Sequence, residues 1–265
     1  MQPRVTLIGY GEAASTFAES GGWSRFATVW DHDPTRQRLL LDTPFTHSNS
    51  PSNALANSPL ILSLVTADQA LAAAQDYAPL ISPGAIWCDG NSVAPETKRA
   101  AAAAIESAGG HYVDLAILAP VNPARLAVPL LLSGPAAGQA QTALTNLGFT
   151  NIRIVGQGIG RASAIKMIRS VMVKGLEALT DEMMAAANAA GVADEVLASL
   201  DASEKTIPWA QRAAYNLERM ATHGLRRAAE MEESAKTLLS LGVAPVMTRG
   251  TVYRQREAAG KGKSS

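Results

Sequence analysis

Between Gly156 and Leu179 the sequence GQGIGRASAIKMIRSVMVKGLEAL divides the chain into two kinds of pattern. Ahead of it, short Val/Ile/Leu runs alternate with helical segments; behind it the pattern is helical throughout. A glycine turn feeding a long helix is therefore the expected joint between an α/β half and an all-α half. Counted on a helix from Lys166, Arg169, Ser170, Val173 and Glu177 share one face, while Ile165, Ile168, Met172, Leu176 and Leu179 form an apolar one. Lys166 falls near the helix start, where the positive end of the helix dipole favours a neutral amine. The competing reading of Lys166 is a solvated surface lysine.

The function classes left open are narrowed by charge. Twenty-three basic residues balance twenty-three acidic ones, so no overall field recruits nucleic acid or an anionic membrane. A small-molecule substrate fits better. Cys88, the one cysteine, lies in the apolar run AIWCDG and reads as a buried, inert thiol, with no disulfide and no cysteine-rich metal site; no metal ligands are assigned. The start MQPRVTLIGYG enters a strand pattern at once and has no signal-peptide layout. No run approaches the roughly 18 apolar residues of a membrane span. A cytoplasmic protein is expected.

The first strand pattern, Val5 to Ile8, runs directly into Gly9-Tyr10-Gly11-Glu12-Ala13-Ala14 and then a helical stretch to Glu19. In G-x-G-x-x-A the first glycine permits the turn, the second lets a pyrophosphate approach the backbone, and the small third residue packs helix on strand. Helix N-terminal amides then meet the phosphates. Methyltransferases also carry a glycine-rich loop after their first strand, so the second strand must decide. Phe26 to Trp30 reads as that strand and ends in Asp31, 22 residues beyond Gly9, the spacing of an acid that accepts from the ribose hydroxyls of NAD. Asp33 before Pro34 is the better helix cap, which leaves Asp31 for the ribose. Arg36 and Arg38 offer a site for a 2′-phosphate instead, so the expected cofactor is NAD or NADP, with NAD favoured.

Further strands are expected at Leu60 to Val65, Ala85 to Cys88, His111 to Leu118, Val128 to Leu132 and Ile152 to Val155, with helices at Pro95 to Ala108 and near Ala136 to Leu147. Ligands in open α/β sheets bind at the carboxyl ends of strands, which brings Val65, Thr66, Asn91 and Ser92 beside Gly9 and Gly11. The polyalanine part of the Pro95 helix needs no function. Beyond the joint, Ala162 to Ala190 reads as one helix about 43 Å long. Further helices are expected at Asp194 to Ser199, Trp209 to Thr222, Leu225 to Leu241 and Met247 to Glu257. The expected fold is α/β: a Rossmann-type, doubly wound parallel sheet over residues 1–160, an all-α domain over 161–260, and a disordered tail over 261–265. A helix so long and apolar would leave surface exposed in a monomer, so a homodimer is expected.

In order and spacing, four segments resemble the β-hydroxyacid dehydrogenases, the group that includes 6-phosphogluconate and 3-hydroxyisobutyrate dehydrogenases, and within it the 6-phosphogluconate-dehydrogenase-like branch with a short C-terminal domain. They are the Gly9 loop, Asp89-Gly90-Asn91-Ser92-Val93-Ala94-Pro95, Gly158-Ile159-Gly160 leading to Lys166, and Arg226 to Glu233 closed by Leu241 to Pro245. The resemblance implies that the glycine loop, through Gly9, Tyr10, Gly11, Glu12 and Ala13, holds the coenzyme, that strand-end loops complete its site, and that Lys166 does acid/base work. It also implies a dimer built on the long helix. Three positions depart from the pattern. Ser170 stands where the best-known members have asparagine, Leu118-Ala119-Pro120 where they have a carboxylate-gripping Ser-Gly-Gly, and Ala229-Glu230 where they have Lys-Asp.

The expected chemistry is hydride exchange between a secondary alcohol and its ketone, with Lys166 moving the proton and Ser170 orienting the oxygen. Ser92, Leu118, Asn122 and His223 are the candidate substrate contacts, and His223 is a second candidate proton carrier with an ordinary helix-end histidine as its alternative. The rivals are an NADPH-dependent imine or ketone reductase and a catalytically silent dinucleotide sensor.

Overall fold

A computed structural model describes residues 4–203 and 208–261. In chain order the elements are β1 (Val5–Ile8), α1 (Glu12–Ser20), β2 (Ala27–Trp30), α2 (Pro34–Leu41), β3 (Thr46–His47), α3 (Pro51–Leu55), β4 (Leu60–Ser63), α4 (Ala70–Tyr77), β5 (Ile86–Asp89), α5 (Pro95–Ser107), β6 (His111–Ile117), β7 (Leu130–Ser133), α6 (Ala137–Asn146), β8 (Ile152–Gly156), α7 (Arg161–Ala190), α8 (Ala193–Ser203), α9 (Trp209–Ser240) and α10 (Val246–Lys261). The chain divides into two compact units, the first ending at Arg169 and the second beginning at Ser170.

The first unit is a Rossmann-like layer structure around an eight-stranded sheet in the order β3-β2-β1-β4-β5-β6-β7-β8. Strands β1 and β4 are buried throughout, and β5 and β6 are buried except at Ile86 and His111, as a sheet covered on both faces requires. One face packs Leu7, Phe17, Trp23, Val29, Leu62, Val113, Leu132 and Phe149 together; the other packs Ile8, Ile61, Trp87, Ile105 and Tyr112. Proline at the first helical position starts α2, α3 and α5. Asp33 caps α2 by accepting from Thr35 N at 2.8 Å, the role its sequence position predicts.

The sheet departs from the expected all-parallel form at one pair. β7 runs antiparallel to β6, with Asp114 opposite Ser133. Residues 118–129 between them hold only a single helical turn, Arg125–Ala127, in place of the crossover helix that usually joins parallel neighbours. The strand β3, two exposed residues paired with β2, was not expected. The division between units also falls later than residue 160. The first two turns of α7 belong to the sheet unit because Ala162 is fully buried against Ala116 and Leu131, and Arg169 Nη1 donates to the carbonyl of Leu118 at 3.1 Å.

In the second unit, α9 is one helix of 32 residues rather than the two expected on either side of His223-Gly224. Gly224 is a packing residue and not a break: a Cβ there would lie 2.3 Å from the carbonyl oxygen of Gln255 on α10. Its absence lets the two helices touch. The Glu182 carboxylate, on α7, accepts from Met247 N, Thr248 N and Thr248 Oγ1 at 2.7, 2.9 and 2.6 Å and so caps α10. Burial opposes its charge, yet bonds from Thr248 and the amides of Met247, Thr248 and Val246 hold its pKa below the ordinary glutamate value. Lys261 closes α10, and residues 262–265 of the expected tail lie outside the described residues.

Candidate active site

The loop after β1 has the backbone its glycines permit. Gly9 adopts φ +90°, and a Cβ on it would come within 2.6 Å of the Leu64 carbonyl oxygen, so no other residue fits. At Gly11 a Cβ would meet nothing within 4 Å: the space beside that backbone is open. Among the described residues, the amides of Gly11, Glu12, Ala13 and Ala14 donate no hydrogen bond and α1 has no side-chain cap. Unpaired amides at a helix N-terminus are donors for an anion.

This loop borders a cavity of about 610 Å³ lined by Gly9 to Ala13, Asp31 to Asp33, Arg36, Leu64 to Thr66, Asp68, Asp76 and Tyr77. Asp31 is fixed at its edge. Its Oδ2 accepts from Tyr10 N at 2.7 Å and its Oδ1 from Asp33 N at 2.9 Å; each oxygen retains a lone pair for a further donor. Tyr10 is thus a positioning element: its amide holds Asp31, and its ring packs 6.0 Å from Phe45. Burial, then the charge of Glu19, raises its hydroxyl pKa. Asp68 goes the other way, lowered chiefly by its bond with the Gln69 side chain. Arg38 lines none of this wall; Arg36 does.

A second cavity of about 410 Å³ shares Glu12, Ala13, Leu64 and Val65 with the first and continues past Gly90, Asn91 and Ser92 to Ile117, Ala119, Pro120, Val121 and Lys166. At its rim Lys166 Nζ donates to Ser92 Oγ at 2.5 Å, from a half-buried position on α7. Asn91 is buried and structural in part. Its Oδ1 accepts from Val65 N at 2.7 Å and its Nδ2 donates to Ser63 Oγ at 3.1 Å, which locks together the ends of β4 and β5. Val65 borders both cavities, Asn91 the second and Thr66 the first.

Two expected substrate contacts are elsewhere. Leu118 turns away and packs with Ala116, Leu131 and Ala162, since alternation along β6 sends Ile117 to the cavity and Leu118 to the opposite face. Asn122 is exposed beyond the cavity wall, which ends at Val121. Ser170 follows Lys166 by one helical turn on α7 and begins the second unit, where His223 is half-buried on α9. Cys88 is fully buried and its thiol is pushed up to about 12, by desolvation first and the charge of Asp89 second, so it stays protonated.

Behind the second cavity lies a charged cluster that sequence reasoning missed. Lys98, on α5, is completely buried; its Nζ donates to Asp89 O and Asp89 Oδ1 at 2.6 and 2.9 Å and lies 3.6 Å from Asp114 Oδ1. Tyr112 donates its hydroxyl to Asp89 Oδ2 at 2.6 Å, and burial together with the Asp89 charge drives its pKa far upward. Asp114 Oδ2 accepts from Ser133 Oγ and from Ser163 N at 3.1 and 2.9 Å, while Ser133 Oγ accepts from Ala162 N at 3.0 Å. A signal existed in the spacing: Lys98, Ala101, Ala102 and Ile105 fall at i, i+3, i+4 and i+7, which puts the lysine on the buried face of an alanine helix.

Residues 5–156 match the family model described as the NAD binding domain of 6-phosphogluconate dehydrogenase. The chain belongs to that family. Residues 187–258 match a second model, a domain of unknown function designated DUF1932. A relative from Methanothermus fervidus, an uncharacterized 28.5 kDa protein in a 7S RNA 5′ region, is 26% identical over 94% of this chain and 96% of its own length. A solved conserved protein of unknown function, described as structurally similar to 3-hydroxyacid dehydrogenases, is 30% identical over 99% of this chain and 100% of its own, with a TM-score of 0.62. The same fold, at 20 and 19% identity, is found in an imine reductase variant from Myxococcus stipitatus in complex with NAD+ and in a reductive aminase from Aspergillus terreus in complex with NADPH and ethyl levulinate. Their TM-scores are 0.78 and 0.74; each match covers 99% of this chain and 95% of the other. For this NAD-binding family the open Gly11 backbone, the unpaired α1 amides and the adjoining cavity are a donor set and a space that fit a dinucleotide pyrophosphate.

Proposed function

We propose that this protein is an NAD(P)-dependent oxidoreductase that interconverts a secondary alcohol, of hydroxyacid type, and its ketone, with Lys166 as the general acid/base. The observation that carries this reading is the Lys166–Ser92 pair at the rim of a cavity that shares Glu12, Ala13, Leu64 and Val65 with the glycine-loop cavity. A bound nicotinamide coenzyme supplies the hydride chemistry. The α1 amides and Gly11 would hold its pyrophosphate, and Asp31 its ribose hydroxyls. Lys166 would take the alcohol proton on oxidation and return it on reduction, while Ser92 orients the amine and Ser170 the substrate oxygen. Around the first cavity, Glu12, Asp31, Asp33, Asp68 and Asp76 outnumber Arg36, a field that disfavours a 2′-phosphate and supports NAD over NADP.

One observation favours a second reading. The wall facing Ser92 is Ile117, Ala119, Pro120 and Val121, apolar where a hydroxyacid would need a partner for its carboxylate. That wall suits a ketone or imine, the chemistry for which the imine reductase and the reductive aminase are named. A screen of hydroxyacids, sugar acids, ketones and cyclic imines with NAD(H) and NADP(H) separates the two. Turnover confined to hydroxyacids supports the first reading and turnover confined to imines the second; coenzyme binding without turnover across the panel supports a dinucleotide sensor.

We further propose a homodimer in the cytoplasm. Ile168, Met172, Leu176 and Leu179 are 42–72% exposed along α7 in the single chain, an apolar surface that assembly would cover. No helix among the described residues is long and apolar enough to cross a membrane. Light scattering at micromolar concentration should give twice the chain mass; a stable monomer would remove the argument.

A further inference from the structure

The buried cluster joins the two segments that carry the Lys166–Ser92 pair. On one side Asp89 accepts from Asn91 N at 2.9 Å, and Ser92 is the next residue. On the other, Asp114 and Ser133 hold the amides of Ser163 and Ala162, and Lys166 lies one turn beyond them on α7. The two carboxylates are register partners on the parallel strands β5 and β6, both fully buried. Side by side and out of water they repel. The Lys98 ammonium lies against both, and Asp114 Oδ1 receives no hydrogen bond among the described residues, so charge from Lys98 is what faces it. A well-packed apolar filling would serve stability as well as or better than a buried ion pair, so stability alone gives no reason for a lysine on the inner face of an alanine helix. A geometric role does.

We propose that Lys98 is a positioning residue: by bridging Asp89 and Asp114 it fixes the Asn91-Ser92 loop and the α7 N-terminus relative to each other, and so sets the Lys166 amine against Ser92. The inference rests on Lys166 being the working amine. Loss of the bridge leaves two buried carboxylates without their cation, and repulsion between them displaces the Asp114 carboxylate that caps the first turn of α7.

The test reads Lys166 without requiring a substrate. Parent and Lys98→Met are labelled with limiting acetic anhydride below their unfolding temperatures, and the acetylation of Lys166 relative to the chain's other lysines is measured by mass spectrometry. NAD and NADPH affinities are measured alongside by calorimetry. In folded Lys98→Met the relative reactivity of Lys166 should change by about fivefold or more, while coenzyme affinity stays within about threefold, since the α1 loop is held by other bonds. With a verified substrate, kcat should fall by about tenfold or more at a nearly constant coenzyme KM. Parent-like Lys166 reactivity in a folded Lys98→Met would overturn the inference. Should that variant not fold, Asp114→Asn carries the same test, because it keeps the Lys98–Asp89 pair: a shifted Lys166 supports the inference and an unshifted one sinks it. A shifted Lys166 in a protein that turns over no substrate would leave the positioning intact and reject the dehydrogenase reading instead.

Discussion

Two junctions in this chain have the same layout, a strand, a G-x-G turn and a helix, and they do opposite things with the helix N-terminus. After β1, Gly9-Tyr10-Gly11 leads to α1, whose first amides have no partner among the described residues and border a cavity. After β8, Gly156-Gln157-Gly158 leads to α7, where Arg161, Ala162, Ser163 and Ala164 donate in turn to Gly158 O, Ser133 Oγ, Asp114 Oδ2 and Gly160 O. The first end is open to a cavity; the second is already filled by a buried carboxylate. A glycine pattern alone does not distinguish them, because the difference lies in which side chains the neighbouring strands supply. On the proposed function the two junctions divide the labour: the α1 junction would bind the coenzyme and the α7 junction would aim Lys166.

The largest effect should come from removing what the second junction aims. Lys166→Met is expected to lower turnover by roughly 10² to 10⁴, the usual contribution of a positioned acid/base group, with coenzyme affinity unchanged by calorimetry. Near-parent turnover would leave His223 or a water chain as proton carrier and dissolve the division. A smaller effect belongs to the first junction. Asp31→Ala should shift the NAD-to-NADP preference in steady-state kinetics by about tenfold towards NADP, as one charged acceptor is lost and repulsion of a 2′-phosphate is relieved. An unchanged ratio would detach Asp31 from the ribose.

The sheet unit was legible wherever burial and backbone geometry agreed. Apolar runs gave β1, β4, β5 and β6, and glycine, Asp33 and proline marked the turns and helix starts, since these depend on the local chain. The polarity of β7 did not show in the residues, because a strand buried on both faces reads the same in either direction. Nor did the continuity of α9: Gly224 has the form of a break, and only the approach of Gln255 reveals it as a contact. Gly9, Gly11, Asp31, Asn91, Ser92 and Lys166, singled out by the glycine loop, the strand ends and the start of the long helix, all line the two cavities. The Asp89–Lys98–Asp114 cluster could not be read in the same way: helical spacing puts Lys98 on the buried face of α5, but the carboxylates it meets come from two other elements.

The smallest expected effect is in the second unit, where a carboxylate again fills a helix N-terminus. Glu182→Gln should lower stability in urea unfolding by about 1 kcal/mol at pH 7. The folded-state pKa of Glu182 is depressed, so its contribution is fully present above the unfolded value of about 4.3 and is lost as pH falls through the folded value. The gap between parent and variant should therefore close on acidification. A gap that is constant from pH 7 to pH 3 would show that the capping charge is not its source.

The division itself is tested by placing the same side chain at the matching position of both junctions. A Cβ at Gly11 or at Gly158 meets nothing within 4 Å, so neither substitution is a packing defect. In calorimetry with NAD and NADPH, Gly11→Val should weaken binding by at least about 100-fold, because its side chain takes the space of the pyrophosphate and separates it from the α1 amides. Gly158→Val should bind within about twofold of the parent, since the α7 amides beyond it already have protein partners. Parent-like affinity in Gly11→Val, or an equal loss in Gly158→Val, would contradict the assignment of the coenzyme to the first junction.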